Sequence, residues 1–441
     1  RDDGDNWRFG YARRLHGRNG TLNAPGRSVR RPDEDGVELV WRYDAGRAAY
    51  VDRSGGGADD LLRFDPVRGT GVWTDGDSQR EEHYDAAGRL LAVRDPDGHA
   101  LTLAYDDAGR LSAVTGASGE TLHIDYLAGR LAALRSTDAR GEHIAIRYRH
   151  DASGRLQQVE TDLTPEDGRT DDGLVYLTRY GYDGESARLA SIDHSDGGRL
   201  EFTHVRIGDG YRVQSVSDVR SATDRRTTTF DYDLAAGTTS VTDPLGQVCV
   251  LQHDAHGRLL GVDSAAGSLR YEYDAAGRLL ARTDAAGHRH EYQYDARGNV
   301  VLERGPDGRC VRRRFGERNE LLAQTIAADS AGAQTTRHVY DDRLRRRFEI
   351  SAAGRVTEYR YDADGHPVTQ LRYPDAVAAA LSAQPDEAEL RDWVATQDPA
   401  RVRRRDSEYD LPGHLSPHID YARHDATGLG LDDGRQQEQR F

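Results

Sequence analysis

The chain contains no lysine and no methionine, and it has only two cysteines among its 441 residues. All 60 basic residues are therefore arginines, and 75 acidic residues bring the net charge to −15. This acidic balance argues against a nucleic-acid-binding protein, which needs a basic surface. No stretch approaches the roughly 18 consecutive apolar residues of a membrane-spanning helix. The sequence thus predicts neither a nucleic-acid partner nor a membrane span in this segment.

The scarcity of cysteine and lysine also excludes several kinds of site. Cys249 and Cys310 are too few for a disulfide framework, and neither has the neighbouring cysteine or histidine of a metal site. A phosphate-binding G-x-x-x-x-G-K-[ST] loop requires a lysine, and the G-x-S-x-G esterase motif is absent. We therefore expect no catalytic residues, no metal and no cofactor, and we predict that the chain is not an enzyme.

The lack of methionine extends to the first residue, which is Arg1. This predicts that the sequence is an internal segment of a larger protein, unless modified methionines are missing from the printed sequence.

Glycine and tyrosine are abundant, and a repeated motif accounts for much of both. There are 47 glycines, and 22 tyrosines against 7 phenylalanines. The unit Tyr-Asp-x-x-Gly-Arg-Leu begins at Tyr84, Tyr105 and Tyr273, and histidine replaces the tyrosine at His150 and His253. Weaker copies begin at Tyr126, Tyr232, Tyr294, Phe315, Tyr340, Tyr361 and Tyr409. Most copies are about 21 residues apart, so the chain is predicted to be a tandem repeat.

Each period contains two turns and two short segments. The segment that enters the motif alternates, as in Leu101, Leu103 and Tyr105, which is typical of a half-buried strand. A second turn signal, such as residues 95–98 (Asp-Pro-Asp-Gly), lies between copies. The sequence therefore predicts an all-β fold of antiparallel hairpins stacked into a long curved strip or hollow shell, with one short helical insertion.

The positions that recur in each copy of the motif are interpreted as structural turn residues. An aspartate before a glycine turn accepts backbone N–H bonds, and the glycine adopts positive φ. The residues assigned this role are Tyr84, Asp85, Gly88, Tyr105, Asp106, Gly109, Tyr273, Asp274 and Gly277. No ligand-binding residue could be assigned.

The chain divides into four parts on this pattern. Residues 1–83 are predicted to be an atypical β lead-in or cap, and 84–374 the hairpin array. Residues 375–400 are predicted to be a helical insertion, in which Leu390, Trp393 and Val394 share one helical face. Residues 401–441 are predicted to continue the repeats.

The Tyr-Asp-x-x-Gly-Arg-Leu unit at about 21 residues resembles the Rhs/YD-repeat family of bacterial polymorphic toxins, insecticidal toxin complexes, giant secreted bacterial proteins and teneurins. The resemblance implies a hollow shell that encloses, protects or presents a toxic or effector domain of the same polypeptide or complex. It also implies a secreted or cell-surface bacterial protein. Toxin-bearing members of that family usually end their repeats with a self-cleaving core segment that contains an Asp-Pro-x-Gly motif. Asp243 begins a similar sequence here, but its position in mid-array predicts an ordinary inter-strand turn, so we expect this segment to lack the self-cleaving core.

Several other sequence features would also fit a binding function. The alternative is a cell-surface adhesion or recognition module that binds glycan or protein, for which the arginine runs at 312–314, 345–347 and 403–405 are candidates. His288 and His290 could share a strand face and bind metal, and residues 3–6 and 75–77 resemble parts of calcium loops. A structural role is the stronger interpretation of each, since none extends into a complete motif.

Overall fold

The computed structural model describes residues 10–11, 13–17, 21–33, 38–52, 58–138, 141–164, 173–221, 223–328, 331–376, 382, 384–409, 415–421 and 437–440. Within these residues the chain folds into 34 strands and one α-helix. The all-β class predicted from the repeat is confirmed.

The strands before the first complete repeat and those of the first repeats are short. They are β1 (Ser28–Pro32), β2 (Glu38–Asp44), β3 (Ala49–Val51), β4 (Leu61–Phe64), β5 (Gly71–Thr74), β6 (Glu81–Tyr84), β7 (Leu90–Arg94), β8 (Ala100–Tyr105), β9 (Leu111–Thr115) and β10 (Thr121–Leu127). Most strands of the middle of the chain are longer. They are β11 (Arg130–Asp138), β12 (Gly141–His150), β13 (Leu156–Asp162), β14 (Val175–Tyr182), β15 (Leu189–His194), β16 (Arg199–Ile207), β17 (Gly210–Val219), β18 (Arg225–Asp233), β19 (Thr238–Thr242), β20 (Val248–His253), β21 (Leu259–Ser264) and β22 (Gly267–Tyr273).

The remaining strands precede and follow the helical insertion along the chain. They are β23 (Leu279–Thr283), β24 (Arg289–Tyr294), β25 (Val300–Arg304), β26 (Cys310–Phe315), β27 (Leu321–Ala328), β28 (Ala331–Tyr340), β29 (Arg346–Ile350), β30 (Arg355–Tyr361), β31 (Pro367–Ala376), β32 (Arg403–Tyr409), β33 (Leu415–Tyr421) and β34 (Gln437–Arg440). The helix α1 spans Glu387–Ala395, and a short 3-10 helix follows at Pro399–Arg401.

Each strand pairs antiparallel with the next strand along the chain. This holds from β1–β2 through the middle of the array to β33–β34. The hairpins are therefore stacked in chain order into one open sheet, as the repeat predicts.

The helix begins later than the helix-favouring sequence suggests. The sequence of residues 376–381 favours a helix, but Ala376 is the last residue of β31, so no helix starts there. Residues 377–381, the rest of that run, lie outside the described residues. In α1 the Asp386 side chain accepts the N–H of Glu389, and the Glu389 side chain accepts the N–H of Asp386, which caps the first turn.

The sheet has two faces of different composition. One face, here the tyrosine face, carries the repeat tyrosines together with Trp41, Leu62 and Leu134. Side chains of this face from β1 to β11 pack against one another in a single core, although many of these strands are not neighbours. Such contacts require the tyrosine face to be concave.

The opposite face, here the charged face, carries ion pairs such as Arg135–Asp125, Arg199–Asp193 and Arg270–Asp263. Helix α1 packs on this face. Its Leu390 is fully buried in a second core with Phe348 and Ile350 of β29.

Curvature of the strip follows from an irregularity that recurs in most repeats. The strand register shifts immediately before the motif tyrosine, for example between Ala104 and Tyr105, and between Glu272 and Tyr273. A β-bulge bends its strand and increases the local twist, so bulges repeated at one end of each hairpin curl the strip.

The strip completes a full winding and returns to its own first strands. The N–H of Asp59, in the β3–β4 loop, donates to the carbonyl of Arg297, in the β24–β25 turn, at 2.7 Å. Twenty-one strands, β4 to β24, lie between these residues. At ~4.8 Å per strand they make a path of ~100 Å, which closes into a ring of ~32 Å diameter at the backbone.

Candidate functional site

The motif aspartate is engaged by its own turn. Asp274 Oδ1 accepts the N–H groups of Ala276 at 2.8 Å and Arg278 at 2.9 Å, and Oδ2 accepts the Nε–H of Arg278 at 2.8 Å. Gly277 closes the turn with φ of +89° and donates to the Asp274 carbonyl at 3.0 Å. Asp85 and Asp106 accept the equivalent N–H groups of their own turns. The repeated carboxylate is thus occupied by turn formation.

The charge of these aspartates is stabilised by the same contacts. Partial loss of hydration raises the pKa of Asp254, but the N–H and guanidinium of Arg258 and the N–H of His256 outweigh it. The pKa of Asp254 falls to about 2 as a result. The aspartates therefore remain ionised near neutral pH, where a general acid would need a proton.

From Tyr105 onward, each motif tyrosine links its repeat to the one before it. Tyr105 donates its hydroxyl to the Leu90 carbonyl at 2.7 Å, and Tyr294 donates to the Leu279 carbonyl at 2.7 Å. The same bond recurs, with a leucine, valine, arginine or proline carbonyl as acceptor, at Tyr126, Tyr182, Tyr232, Tyr273, Tyr340, Tyr361 and Tyr409. We call this series the tyrosine ladder.

The motif arginine covers the ring of the next tyrosine. The guanidinium carbon of Arg89 lies 4.8 Å from the ring centre of Tyr105, and that of Arg278 lies 4.9 Å from Tyr294. Arg278 also donates Nη1–H to the Asp295 carbonyl at 3.2 Å, in the next motif turn. Aspartate, glycine, arginine, leucine and tyrosine of the motif therefore form one continuous set of contacts along the strip.

Tyr84 departs from this pattern because no complete repeat precedes it. It is buried, and its hydroxyl donates to the carboxylate of Glu82, which is 0% exposed. Arg31 lies 2.8 Å from Glu82 Oε2 and stacks 3.7 Å above the ring of Trp73. Burial, followed by the negative charge of Glu82, raises the pKa of Tyr84.

A second arginine joins this buried cluster from the chain before β1. Arg13 lies 2.5 Å from Glu82 Oε1, and the next residues bridge β1 to the turn before β7. In that bridge the Leu15 N–H donates to the Gly88 carbonyl at 2.8 Å. No sequence pattern indicates this cluster, since 69 residues separate Arg13 from Glu82.

A second group of contacts joins the first strands to the part of the strip that returns to them, from about residue 296 onward. We call this part the later winding. Arg47 of the β2–β3 turn binds Asp59 and donates to the Ala296 carbonyl. Asn319 Nδ2 donates to the Gly76 carbonyl at 2.9 Å, and Arg345 lies 3.6 Å from Asp97. We call this line the seam: residues 58–60, 76 and 97 on one side and 296–298, 319 and 345 on the other.

A cavity of about 730 Å³ lies beside the seam, between the first strands and the β20–β21 and β22–β23 turns. Residues 40, 42–45 and 51–52 line one side, and residues 256, 258 and 275–277 line the other. The turn residues predicted from the motif thus face the first strands here, with Gly277 in the wall of the cavity.

The structure places the other sequence candidates in ordinary turns and strands. Asp243 Oδ1 accepts the N–H groups of Leu245 and Gln247 at 2.8 Å, and Gly246 has φ of +81°. His288 lies in a turn 3.0 Å from Asp284, so it does not share a strand face with His290 as the metal hypothesis required.

The calcium-like segment at residues 75–77 also forms an ordinary turn. Asp75 Oδ1 accepts the N–H groups of Asp77 and Ser78, and residues 3–6 lie outside the described residues. One group of three possible metal ligands, Asp362, Asp364 and His366, occurs within the described part of the chain. It is a motif turn, whose Asp362 accepts the N–H groups of the other two residues.

The arginine runs are largely engaged by carboxylates. Arg345 binds Asp341 at 2.9 Å, Arg405 binds Asp420 at 2.7 Å, and Arg313 lies 3.1 Å from Glu303. No helix of the described residues is long and apolar enough to cross a membrane.

Comparison with known proteins identifies the repeat. The RHS repeat family model matches residues 84–121, 232–269, 253–290 and 273–309. The resemblance of the Tyr-Asp-x-x-Gly-Arg-Leu unit to the Rhs/YD-repeat family is therefore confirmed.

Three curated proteins are similar over parts of the chain. Double-stranded DNA deaminase toxin A of Burkholderia cenocepacia is 30% identical over 46% of this chain and 14% of its own length. Toxin protein Tse5 of Pseudomonas aeruginosa is 32% identical over 27% of this chain and 9% of its own length. Probable deoxyribonuclease RhsB of Dickeya dadantii is 25% identical over 75% and 24%, respectively. The chain thus spans at most a quarter of the length of these relatives.

Among solved structures, the crystal structure of TcdB2-TccC3 is similar over 96% of this chain and 25% of that chain. The TM-score is 0.45 and the sequence identity 12%. The structure of a Photorhabdus luminescens Tc holotoxin pore is similar over 94% and 22%, with a TM-score of 0.38 and 14% identity.

Proposed function

We propose that this chain, which carries RHS repeats, is a wall segment of a larger exported bacterial toxin protein. In this proposal its wound strip encloses, protects or presents an effector domain of the same polypeptide or complex. Its relatives include two named toxins and a probable deoxyribonuclease, each several times longer than the part matched here. The protein would be secreted or displayed at the bacterial surface.

The difference between the two faces of the wound strip carries the proposal. In the middle of the array the tyrosine face presents half-buried aromatic side chains, such as Tyr180, Phe202 and Phe230, toward the inside of the curve. The charged face presents ion pairs to the outside. An isolated sheet in water is not stabilised by an exposed apolar face. A wall that encloses an effector domain would cover this face with that domain.

We also propose that the first strands close one end of the wall. The bridge of residues 13–16 joins β1 to the turn before β7, and the core inside contains Trp41, Tyr50 and Tyr84. The later winding meets these first strands along the seam. Residues 1–83 would then act as the cap expected from their atypical sequence.

In this proposal the segment has no catalysis of its own. The motif aspartates are occupied by turn bonds, and the arginines of the runs face carboxylates, which favours a wall over a glycan-binding surface. Incubation of the purified chain with ester, peptide, glycoside and phosphate substrates should give only background rates. A glycan array should give no specific hit, and a low-micromolar hit would favour the recognition module instead.

The two native cysteines provide a direct test of the enclosure. Cys249 lies on the tyrosine face, opposite Val241, and Cys310 lies on the charged face, opposite Arg304. Both are free and half-buried. The folded chain would be treated with a small maleimide and, separately, with a large PEG-maleimide, and each cysteine would be quantified by mass spectrometry.

We expect the small reagent to label both cysteines at comparable rates and the large reagent to label Cys310 at least tenfold faster. In urea, where the wall is unfolded, the size preference should disappear. Equal labelling of both cysteines by the large reagent in the folded chain would show that the tyrosine face is open, and the enclosure proposal would then fail.

A further inference from the structure

The seam contains a carboxylate that is not part of any motif turn. Asp60, in the β3–β4 loop, accepts the N–H of Gly76, in the β5–β6 turn, with its Oδ1 at 2.9 Å. In the other direction, Asp77 Oδ1 of the turn accepts the Ala58 N–H of the loop at 3.1 Å. A Cβ on Gly76 would lie 2.3 Å from the Ala58 carbonyl oxygen, so the two loops are in close contact.

Both loops are also bound to the later winding. The neighbour of Asp60, Asp59, donates its N–H to the Arg297 carbonyl at 2.7 Å. On the other loop the Gly76 carbonyl accepts Asn319 Nδ2–H at 2.9 Å. The contact between Asp60 and Gly76 therefore holds in place the two backbone segments to which the later winding is attached.

The charges around Asp60 do not favour its ionised form. Asp75 and Asp77 face it from the β5–β6 turn, and Arg31 faces it from β1 but is already bound to Glu82. Across the seam, Arg297 and Asn319 present a carbonyl and an amide. On the same side of the seam as Asp60, Arg47 is bound to Asp59. Withdrawal from solvent, and then Asp75 and Asp77, raise the pKa of Asp60 to about 6, against the opposing effects of the Gly76 N–H and Arg31.

We propose that Asp60 makes the seam a pH-sensitive latch, which is closed when the carboxyl is protonated and loosened when it is ionised. The folded pKa lies above the ordinary value of 3.8. The stabilising contribution is thus complete below about pH 4 and is lost as the pH rises through about 6. The latch concerns the wall itself, so it holds whether or not the wall encloses a domain.

The test is hydrogen–deuterium exchange of the whole chain between pH 4.5 and 7.5, corrected for the chemical exchange rate. Peptides covering 58–62 and 295–299 report on the two sides of the seam. Protection of both should fall on the order of tenfold across this range, below the ceiling of about 100-fold set by a change in pKa from 3.8 to about 6.

Two variants distinguish the latch from other titrations. Asp60→Asn mimics the protonated carboxyl, so its seam peptides should stay protected at both pH values. The matched control Asp65→Asn changes a partly exposed carboxylate of the β4–β5 turn, which lies away from the seam, and should keep the wild-type response. A wild-type response in Asp60→Asn, or no response in the unaltered chain, would contradict the latch.

A third variant keeps the test decisive if Asp60→Asn folds poorly. Asp75→Asn removes a negative charge beside Asp60 while its amide oxygen can still accept the turn N–H groups. The pH midpoint for loosening of the seam should therefore move to lower pH. An unchanged midpoint in this variant would show that Asp60 does not control the seam.

Discussion

At the scale of the residue, the repeated motif is a set of contacts that crosses from one hairpin to the next. Asp274 orders the turn, Gly277 supplies positive φ, and Arg278 binds Asp274 while covering Tyr294. Tyr294 then binds the carbonyl of Leu279. Each position is therefore needed by the neighbouring repeat as well as by its own, which explains why the motif recurs as a unit.

The glycine of the turn gives the first prediction. Gly277→Val should destabilise the chain by about 1–2 kcal/mol more than Ala276→Val, because a side chain at φ of +89° is strained. Urea denaturation of the two variants beside the unaltered chain measures the difference. Equal shifts in the two midpoints would mean that the turn is assigned wrongly.

The tyrosine ladder gives the second prediction. Tyr294→Phe removes the hydroxyl bond to the Leu279 carbonyl but keeps the ring beneath Arg278, so we expect a loss of about 1 kcal/mol. Tyr271→Phe, on the same face but outside the ladder, is the control and should lose less than half as much. A cost at Tyr294 no greater than the control would show that the ladder bond does not contribute to stability.

At the scale of the element, most strands are stabilised by their two neighbours, whereas α1 is held to the sheet by a few side chains of one face. A helix of nine residues is marginal in water on its own. Leu390 is fully buried against β29, and Trp393 and Val394 pack beside it. The three positions placed on one helical face by their spacing do meet the sheet, on the charged face and not on the tyrosine face.

Loss of this anchor gives the third prediction. Leu390→Ala should release α1, with a local cost of about 2–5 kcal/mol and rapid hydrogen exchange over 387–395. Arg391→Ala is the control, since it removes only the exposed pair with Glu387 and should cost under about 0.5 kcal/mol. Retained protection of the helix in Leu390→Ala would show that the helix is held by other contacts.

At the scale of the whole molecule, the winding brings together residues about 240 positions apart. Gly76 and Asn319 are 243 residues apart and in direct contact. Bulges before most of the motif tyrosines bend their hairpins, and these small rotations accumulate until the strip meets its own edge. Closure is therefore a property of many repeats together.

The cysteines give a prediction at this scale. Cys249 and Cys310 should remain unbridged, because they lie on opposite faces and on β20 and β26, six strands or ~29 Å apart along the strip. A disulfide requires Cα atoms within ~7 Å. Mass spectrometry of the intact chain without reductant checks this, and an internal bridge between these two residues would contradict the strand register.

The sequence by itself determined the local structure. A motif of fixed length with a turn-forming aspartate and glycine specifies a hairpin, and alternation in segments such as Leu101–Leu103–Tyr105 specifies which side chains share a face. These are interactions over a few residues, so they are visible in a single repeat. The fold class, the chain-order pairing and the opposite faces of the two cysteines followed from them.

Only the tertiary structure decided where the strip closes. The Arg13–Glu82 pair and the contact of Asn319 with Gly76 join positions that no period relates, and the partial burial of Asp60 belongs to the same closure. They depend on the curvature per hairpin, which is set by bulge geometry and by strands of unequal length. A small change in that curvature, summed over 21 strands, would bring different turns to the seam, and for this reason the repeat alone does not specify it.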